Sequence, residues 1–517
     1  MSRFSNNGKN YLYYGDNLDN LRRFVPDESV DLCYIDPPFN SKRNYNQIYN
    51  RIGKEDIAQA QAFIDTWMWD DLARKGFSDI VQNSNGLFTN QATNLIIGLE
   101  KVLGQDSLLA YLVSMTLRVA EIHRVLKPTG NFYFHCDPTS SHYLKLILDS
   151  IFCSQSGDFK NEIIWNYSGW NSKLKDSFSK RHDVIFFYSK GKTQTFNSYS
   201  LPYESKEQYV SRRKQKIFRD ETGREYVLSD RGGGQRIKRY LDEAMAYGQP
   251  IDDVWKIDKL NNSSKERLGY PTQKPEALLE RIIKASTNEG DIVLDAYCGC
   301  GTSVAVAQKL NRRWIGIDIT YQAISVILKR LEDTHGSQVL DDVILDGIPR
   351  DINSAEALAN RKDDRTRKEF EKWAVLTYSK NRAAINQKKG ADQGVDGRAF
   401  FPITDKEFGS IIFQVKSGKV DARDIRDLVG TMSREKADLG VFITLKSPTQ
   451  PMIKEAKSAG LYHYQFFDRD IPKIQIVTVE EIINGDAKFN VPLVAGVLKS
   501  APRSNDDGGE QLELVAG

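Results

Sequence analysis

The tetrapeptide Asp36-Pro37-Pro38-Phe39 contains residue types that could activate an amino group. The carboxylate of Asp36 and the backbone carbonyl of Pro37 can each accept one N–H, which returns a delocalised lone pair to the nitrogen as an electrophile arrives. The two prolines remove competing backbone donors, and Phe39 offers a flat face for a base rotated out of a duplex. An ordinary strand exit is the alternative, because Asp-Pro is common there. The tetrapeptide alone does not separate the two interpretations.

Residues 291–303 predict a buried strand, a glycine turn and the start of a helix, which suits a nucleotide-like cofactor. Gly299 and Gly301 would let the backbone approach a ligand closely, and the helix would present its N-terminus to it. A second predicted strand ends at Asp318, where a carboxylate can bind ribose hydroxyls. NAD is the competing ligand, but a three-glycine phosphate fingerprint is absent. Together with the Asp36 loop, the pattern favours S-adenosylmethionine, which has no pyrophosphate.

A third group of candidate residues lies in the last third of the chain. Gln414 and Lys416 are two residues apart in a predicted strand and therefore lie on one face. Oxygens of Asp396 and Gln414 could hold Mg²⁺, and Lys416 could orient a water for attack on a phosphodiester. Glu369 or Glu371, on the preceding predicted helix, could supply a further ligand. The same turn and strand also occur in α/β domains without such activity.

Three stretches resemble the signatures of the β-class amino-methyltransferases of DNA: 36–39, 269–275 and 295–301. Their order, with the catalytic loop first and the cofactor motif last, is that class's circular permutation of the doubly wound sheet. Further matching stretches are 15–18, 126–130, 132–137 and 181–184. Over about residues 10–335 the sequence is similar to the modification subunits of Type III restriction systems.

The resemblance implies roles for individual residues. It makes Asp36, Pro37, Pro38 and Phe39 catalytic. It assigns S-adenosylmethionine to a site formed by Asp16, Gln273, Lys274, Asp295, Gly299, Gly301, Thr302 and Asp318, with Gln273 and Lys274 at the methionine end and Asp16 near the adenine. An Asp instead of a Ser at position 36 implies adenine rather than cytosine as the target base.

The residues Asp396, Gln414 and Lys416 resemble the PD-(D/E)XK nuclease fold, and specifically its Mrr-like branch, in which Gln commonly replaces the acid. The resemblance implies that all three are catalytic and that Asp396 and Gln414 bind Mg²⁺. No Walker A motif occurs, so we expect cleavage without ATP-driven translocation by this chain. A degenerate nuclease fold that only binds DNA is the alternative.

Strands of α/β sheets would position these residues, because Asp36 follows the apolar run 30–35 and Asp318 ends the run 313–318. We predict a doubly wound, Rossmann-like but permuted domain with an inserted recognition region, followed by a smaller α/β domain that begins with a helix at 368–379. The predicted units are 1–157 (catalytic half), 158–262 (target recognition), 263–340 (cofactor half), 341–367 (linker), 368–490 (endonuclease) and 491–517 (disordered tail). A length of 517 residues suits two or three domains.

The net charge of +3 conceals a basic segment at 160–240, with 18 Lys and Arg against 9 Asp and Glu. It also carries aromatic residues, among them Trp165, Tyr167, Phe186, Phe187 and Tyr188. Basic residues among aromatic ones suit phosphate contacts and base stacking, so we expect double-stranded DNA as the partner. An ordinary solvated basic face is the alternative.

Several classes of protein are excluded. The five cysteines and six histidines have no disulfide or zinc spacing. No signal-peptide core and no apolar run of about 18 residues occurs, so we expect a cytoplasmic protein without a membrane contact, and the resemblance adds a homodimer. We predict a single-chain restriction-modification enzyme. The alternatives are a solitary methyltransferase whose C-terminal domain only binds DNA, and a DNA-binding protein on a methyltransferase scaffold.

Overall fold

The structure is a computed structural model that describes residues 4–5, 7–38, 43–48, 59–65, 67–169, 178–230, 235–261, 263–268, 270, 272–349, 351–360, 364–380, 382–385, 394–403, 407–465 and 468–493. The strands of the first domain are Asn10–Tyr14 (β1), Val30–Ile35 (β2), Arg43–Ile48 (β3), Gln59–Asp65 (β4), Leu126–Cys136 (β5), Asp158–Asn166 (β6), His182–Ser189 (β7), Ser200–Leu201 (β8), Ile217–Arg219 (β9), Glu225–Asp230 (β10), Arg236–Tyr240 (β11), Gln249–Pro250 (β12), Val254–Lys256 (β13), Ile292–Asp295 (β14), Arg313–Asp318 (β15) and Val343–Asp346 (β16). Its helices are Asn17–Phe24 (α1), Asp71–Gln82 (α2), Asn90–Leu103 (α3), Ser107–Val125 (α4), Ser141–Phe152 (α5), Lys206–Arg213 (α6), Leu241–Tyr247 (α7), Glu276–Ser286 (α8), Thr302–Lys309 (α9) and Tyr321–His335 (α10).

One large sheet organises the first domain, with the described strands in the order β13-β6-β7-β5-β2-β14-β15-β1-β16. Neighbouring strands are parallel except where β7 pairs antiparallel with β5 and β6. Successive side chains of the central strand β2 point to opposite faces of the sheet. Cys33 and Ile35 pack with α4 and α5, whereas Leu32 and Tyr34 pack with α8, α9 and α10. Helices therefore cover both faces, which confirms the predicted doubly wound fold.

The second domain is smaller and also mixed α/β, as predicted. Its strands are Ala384–Ile385 (β17), Gly397–Pro402 (β18), Phe408–Lys416 (β19), Leu439–Thr444 (β20), Leu461–Tyr464 (β21), Arg469–Pro472 (β22) and Ile474–Thr478 (β23), and its helices are Ile352–Ala359 (α11), Asp364–Tyr378 (α12), Ala422–Glu435 (α13), Gln450–Ser458 (α14) and Val479–Asn484 (α15). The described strands of its main sheet have the order β17-β18-β19-β20-β23. Pairing is antiparallel from β17 to β19 and parallel from β19 to β23.

The predicted recognition region 158–262 divides between two structures. Strands β6, β7 and β13 extend the large sheet, while 200–250 contains the small antiparallel sheet β11-β10-β9 with its own buried cluster around Val227. This arrangement corrects our expectation that the aromatic residues of this region stack on bases. Trp165, Phe186, Phe187 and Tyr188 are core residues, because apolar residues of central strands must be buried and composition does not distinguish them from surface aromatics.

The predicted linker at 341–367 is also corrected. Residues 343–346 form the edge strand β16 beside β1, and the N-terminus of α11 has a capping box between Asp351 and Ser354. Ala355 of this helix is buried in the second domain's core. Val491 and Leu493, at the start of the predicted tail, are buried there too; the rest of that tail, residues 494–517, lies outside the described residues.

The two domains share buried contacts at the start of α10. The ring of Tyr321 belongs to the second domain's core, and its hydroxyl lies 2.9 Å from Thr377 Oγ1 on α12. The backbone N–H of Tyr321 donates to the buried carboxylate of Glu369, also on α12, over 3.1 Å. Tyr14 at the end of β1 meets Tyr321 edge-to-face. The second domain therefore packs beside the carboxyl ends of strands β1 and β15. None of the described helices combines the length and apolarity needed to span a membrane.

Candidate active site

Four adjacent parallel strands bring four carboxylates to one edge of the large sheet. In the spatial order β2, β14, β15 and β1, Asp36 follows the first, Asp295 and Asp318 end the next two, and Asp16 lies two residues beyond the last. Ligands of open α/β sheets bind outside the carboxyl ends of the strands. The strand order therefore explains why acids 302 residues apart in sequence face one another.

A cavity of about 840 Å³ opens at this edge. Of the residues predicted from sequence, it is lined by Asp16, Asp36, Pro37, Pro38, Gln273, Lys274, Asp295, Gly299, Thr302 and Asp318. Gly301 lies within the turn beneath it, and Phe39 falls outside the described residues. The candidate catalytic and cofactor residues thus share one cavity, although their individual roles stay predictions.

The carboxylate of Asp36 has two different surroundings. Its Oδ2 atom pairs with the ammonium of Lys274, a contact additional to the role at the methionine end that we predicted for this lysine. Its Oδ1 atom is buried and accepts no hydrogen bond from the described residues. His135 Nδ1 lies 3.7 Å from Oδ1. A buried acceptor without a donor suits an N–H group that arrives with a ligand.

The glycine turn is held in place by Asp318. The N–H of Gly299 donates to Asp318 Oδ2 over 2.9 Å, and the N–H and hydroxyl of Thr320 donate to Oδ1, each over 2.9 Å. Gly301 has a φ of 73°, and a Cβ at this position would lie 2.6 Å from Ile327 Cγ1. Only glycine therefore fits between the turn and α10.

Burial dominates the charge state of two cavity acids. It raises the pKa of Asp295 to about 7, against the hydrogen bond from Ser303, and the charges of Asp36 and Asp318 add to the rise. Burial likewise raises the pKa of Asp318 to about 6. Closely spaced buried carboxyls suit a ligand that carries positive charge and hydroxyl donors. The residues present therefore fit S-adenosylmethionine, which has a sulfonium, an ammonium and ribose hydroxyls.

Asp16, predicted near the cofactor adenine, is fixed by contacts with two helices, α1 and α4. It caps α1 by accepting the N–H of Leu18 over 2.9 Å, and it accepts a hydrogen bond of 2.8 Å from Arg118 on α4. Arg118 also donates to Asn17 over 2.6 Å. Asp16 thus presents a fixed carboxylate to the cavity.

Gln273 and Thr302 make structural contacts as well as lining the cavity. The Gln273 amide accepts the N–H of Leu268 over 2.8 Å and donates to the Glu266 carbonyl over 2.6 Å. The hydroxyl of Thr302 accepts from Arg330 over 3.2 Å. These bonds stabilise the walls of the cavity.

In the second domain, Asp396 lies against the strand that carries the other two candidates. Its Oδ2 atom accepts the N–H of Val415 over 2.7 Å, between Gln414 and Lys416. Gln414 is buried, and its Oε1 atom accepts no hydrogen bond from the described residues; Lys416 is exposed. A buried amide oxygen without a donor, next to a carboxylate, fits Mg²⁺, which prefers oxygen ligands and retains waters.

The contact between the two domains bears on whether Glu369 or Glu371 could be the further metal ligand. Glu369 accepts the Tyr321 N–H and pairs with Lys372 at 2.5 Å, so its carboxylate serves the domain contact. Among the described residues, no group of three or more His, Cys, Asp or Glu side chains could hold a metal ion. Of the predicted ligands, Asp396, Gln414 and Glu371 are not part of that contact.

Residues 30–329 match the family model described as DNA methylase. The chain belongs to the DNA methylase family. Residues 363–471 match a second model, described as restriction endonuclease of the Mrr type. The predicted pairing of a methylase domain with an Mrr-like PD-(D/E)XK endonuclease domain is thereby confirmed. The match to the methylase family ends before β16, and the match to the endonuclease family begins at α12.

Similar proteins include methyltransferases of two target types. The DNA adenine methyltransferase YhdJ of Escherichia coli (strain K12) is 28% identical over 332 residues, which cover 64% of this chain and 85% of the relative. The Type II methyltransferase M.HpaI of Haemophilus parainfluenzae is 34% identical over 224 residues, 43% of this chain and 60% of the relative. A solved cytosine-N4-specific PvuII DNA methyltransferase has a TM-score of 0.35 and 13% identity, and the match covers 66% of this chain and 92% of that one.

Arg118, Ser303, Tyr270 and Leu72 are among the cavity residues of the methylase domain that sequence reasoning missed. Arg118 gave no signal, because it is 102 residues from its partner Asp16. Ser303 and Tyr270 lie within the motifs that were recognised, but only the fold brings the Ser303 hydroxyl to Asp295 and the Tyr270 ring to Gly299. Leu72, on α2, lines the cavity and is exposed, which no spacing rule indicates.

Proposed function

We propose that the methylase domain transfers a methyl group from S-adenosylmethionine to the exocyclic amino group of adenine in duplex DNA. The observation that carries this proposal is the buried Oδ1 atom of Asp36, which has no donor among the described residues, in one cavity with Asp295 and Asp318. The aspartate at position 36 and the similarity to an adenine methyltransferase support adenine over cytosine.

Different residues of the cavity would bind the cofactor and the target base. S-adenosylmethionine supplies an electrophilic methyl group on a sulfonium. Asp318 would accept hydrogen bonds from its ribose, and Asp295 would face its positive charge. Asp36 Oδ1 and the Pro37 carbonyl would accept the two N–H groups of the flipped adenine, so that the amino nitrogen becomes more tetrahedral. Lys274 would hold the carboxylate of Asp36 in place through the ion pair with its other oxygen.

The test is a pair of aspartate variants. We expect Asp36→Asn to reduce methyl transfer about 100-fold or more, because one acceptor of the transition state is lost, while binding of S-adenosylmethionine persists. Asp341→Asn, at an exposed aspartate outside both the cavity and the predicted recognition region, should act as wild type. Mass spectrometry of digested DNA should detect N6-methyladenine. Undiminished transfer by Asp36→Asn would contradict the role of Asp36, and N4-methylcytosine would contradict adenine as the target.

We further propose that the endonuclease domain cleaves DNA with Mg²⁺. Asp396 and Gln414 would hold the cation, and Lys416 would orient the attacking water. A nuclease that cut its own partner's mark would destroy the genome that the methylase protects. We therefore infer that it cleaves unmethylated sites, in a restriction-modification role. A domain that only binds DNA is the second candidate, which the lack of a three-acid cluster among the described residues favours.

Plasmid cleavage separates these two candidates. Unmethylated plasmid is incubated with Mg²⁺ and wild type, Lys416→Ala or the control Lys457→Ala, whose lysine is exposed at the end of α14. We expect cleavage by wild type and by the control, none by Lys416→Ala, and protection of plasmid that was methylated beforehand. Intact plasmid in every reaction would contradict nuclease activity and favour a DNA-binding role.

A further inference from the structure

The imidazole of His135 lies between the candidate catalytic acid and a second buried carboxylate. His135 is on β5, and its side chain is completely buried. Its Nδ1 atom is 2.9 Å from the Tyr34 hydroxyl and 3.7 Å from Asp36 Oδ1. Its Nε2 atom is 3.5 Å from Asp183 Oδ2 on β7. The ring therefore bridges two carboxylates that three neighbouring strands of the sheet bring together.

The polar contacts continue from Asp183 to the surface. Lys259, after β13, places its ammonium 3.6 Å from Asp183 Oδ2, and half of its side chain is exposed. The Tyr167 hydroxyl donates to Asp183 Oδ1 over 3.1 Å, and the Lys259 ammonium lies 3.6 Å from the centre of the Tyr167 ring. A line of ionisable groups thus leads from Asp36, through the core, to solvent.

The charges along this line suit the transfer of a proton. Burial lowers the pKa of His135, the charge of Asp36 opposes this, and the charge of Lys274 adds to it, so the ring is neutral at rest. Burial would raise the pKa of Asp183, but the adjacent His135 imidazole and the charges of Lys259 and Lys274 hold that pKa below its usual range. Burial lowers the pKa of Lys259. A neutral imidazole between two carboxylates gains their attraction when it accepts a proton.

Methylation of an amino group requires that a proton depart. The new N–C bond uses the nitrogen lone pair, the C–S bond breaks with its electron pair left on sulfur, and one N–H proton must then be lost. We propose that His135 carries this proton out of the active site. The proton passes from the nitrogen to Asp36 Oδ1 and then to His135 Nδ1, while His135 releases its Nε2 proton to Asp183 and thence to water beside Lys259. One positive charge leaves the cofactor, and one proton reaches solvent.

This inference rests on the proposed function, since it assigns the proton of that reaction. His135 acts through Asp36 and is a positioning and relay residue. The distances from the His135 ring nitrogens to the two carboxylates are longer than a hydrogen bond by less than about 1 Å. Small side-chain rotations can close that difference. The Tyr34 hydroxyl, 2.9 Å from Nδ1, would donate to that atom in the neutral ring, and it would rotate to accept from Nδ1 once that atom takes the proton from Asp36. No oxidant, reductant or further reactant is needed.

The experiment follows methyl transfer and proton release separately in a single turnover. Rapid quenching with radiolabelled cofactor measures methyl transfer to DNA, and a pH indicator in weakly buffered solution measures the proton. The variants are His135→Gln and Asp183→Asn, with the exposed His142 on α5 as the control, changed to Gln. We expect the two signals to coincide in wild type and His142→Gln, and proton release to lag methyl transfer at least about tenfold in both relay variants.

Proton release that keeps pace with methyl transfer in both relay variants would overturn the proposal. Loss of the first methyl transfer in both would overturn it too, because the relay acts after that step. An NMR titration of His135 in the cofactor-free protein gives a second readout: a neutral ring at neutral pH supports the relay, and an imidazolium there overturns it. If wild type methylates no DNA, the proposed function itself has failed, which is a distinct result.

Discussion

Asp295 and Asp318 are buried carboxyls whose charge should control cofactor affinity. Because their pKa values are about 7 and about 6, both are ionised at mildly alkaline pH and become protonated on acidification. A protonated Asp295 loses its attraction for a cationic ligand. We expect the dissociation constant of S-adenosylmethionine to rise about tenfold between about pH 8 and pH 6, because the ionised fraction of Asp295 falls about tenfold across its pKa. Isothermal titration calorimetry over this range measures it.

Asp295→Asn provides the control for this pH dependence. The variant should bind more weakly than wild type at the alkaline end, and its affinity should change less on acidification, because only Asp318 still titrates. A wild-type affinity that is constant over the range would contradict the assignment of Asp295 to the cationic part of the ligand.

Residues could be predicted from sequence where a local pattern fixes their chemistry. Asp36, Asp295 and Asp318 each end a strand-like apolar run, and the structure brings all three to one cavity. The pairing of Lys274 with Asp36 joins residues 238 apart, and no local pattern encodes such a contact. The contacts of Arg118 and His135 escaped prediction for the same reason.

At the scale of elements, α12 belongs to the endonuclease domain but completes a helix of the methylase domain. Glu369 accepts the N–H of Tyr321, one of the donors that a helix N-terminus leaves without an intrahelical partner. Glu369→Ala would leave that N–H and the Lys372 ammonium without their acceptor in a buried site. We expect a loss of about 1–3 kcal/mol in the free energy of unfolding, measured by urea denaturation.

Glu356→Ala is the matched control for Glu369, because Glu356 is exposed on the neighbouring helix α11. It should change the free energy of unfolding by less than about 0.5 kcal/mol. Equal effects of the two substitutions would contradict a structural role for the Glu369 contact. Plasmid cleavage by Glu369→Ala that matches wild type would support our conclusion that Glu369 is not a metal ligand.

The elements themselves were predicted where periodicity was strong. The spacing of Phe370, Trp373 and Leu376 predicted a helix at 368–379, and the structure has α12 at Asp364–Tyr378. The predicted linker failed because β16 and α11 are short, so their charged flanks outweighed their few buried residues. The sequence did not predict that β6 and β7, within the predicted recognition region, extend the large sheet, because strand order is not a property of a local window.

At the scale of the whole molecule, Tyr321 joins the two domains. Its ring is 6% exposed and lies in the core of the endonuclease domain, although its backbone begins a methylase helix. Tyr321→Ala should cost about 3–5 kcal/mol of the free energy of unfolding and weaken cofactor binding, because α10 follows Asp318 directly. Chemical denaturation and calorimetric titration in the full chain measure both effects.

Tyr321→Phe distinguishes packing from hydrogen bonding at this position. It removes only the hydroxyl contact with Thr377, so we expect a loss of about 0.5–1.5 kcal/mol and an unchanged cofactor affinity. If the alanine variant destabilised the endonuclease domain and left cofactor binding as in wild type, the two domains would be joined without being coupled.

If the second domain cleaves as proposed, the placement of Tyr321 affects which mutations a cell can survive. A cell survives the loss of cleavage, and it survives the loss of both activities, but it does not survive cleavage without protection. When the two activities reside in separate chains, one mutation can produce that lethal combination. Here a substitution of Tyr321 that disturbs the methylase helix also removes a core residue of the endonuclease domain. At this position, shared packing thus favours the joint loss of both activities over cleavage without protection.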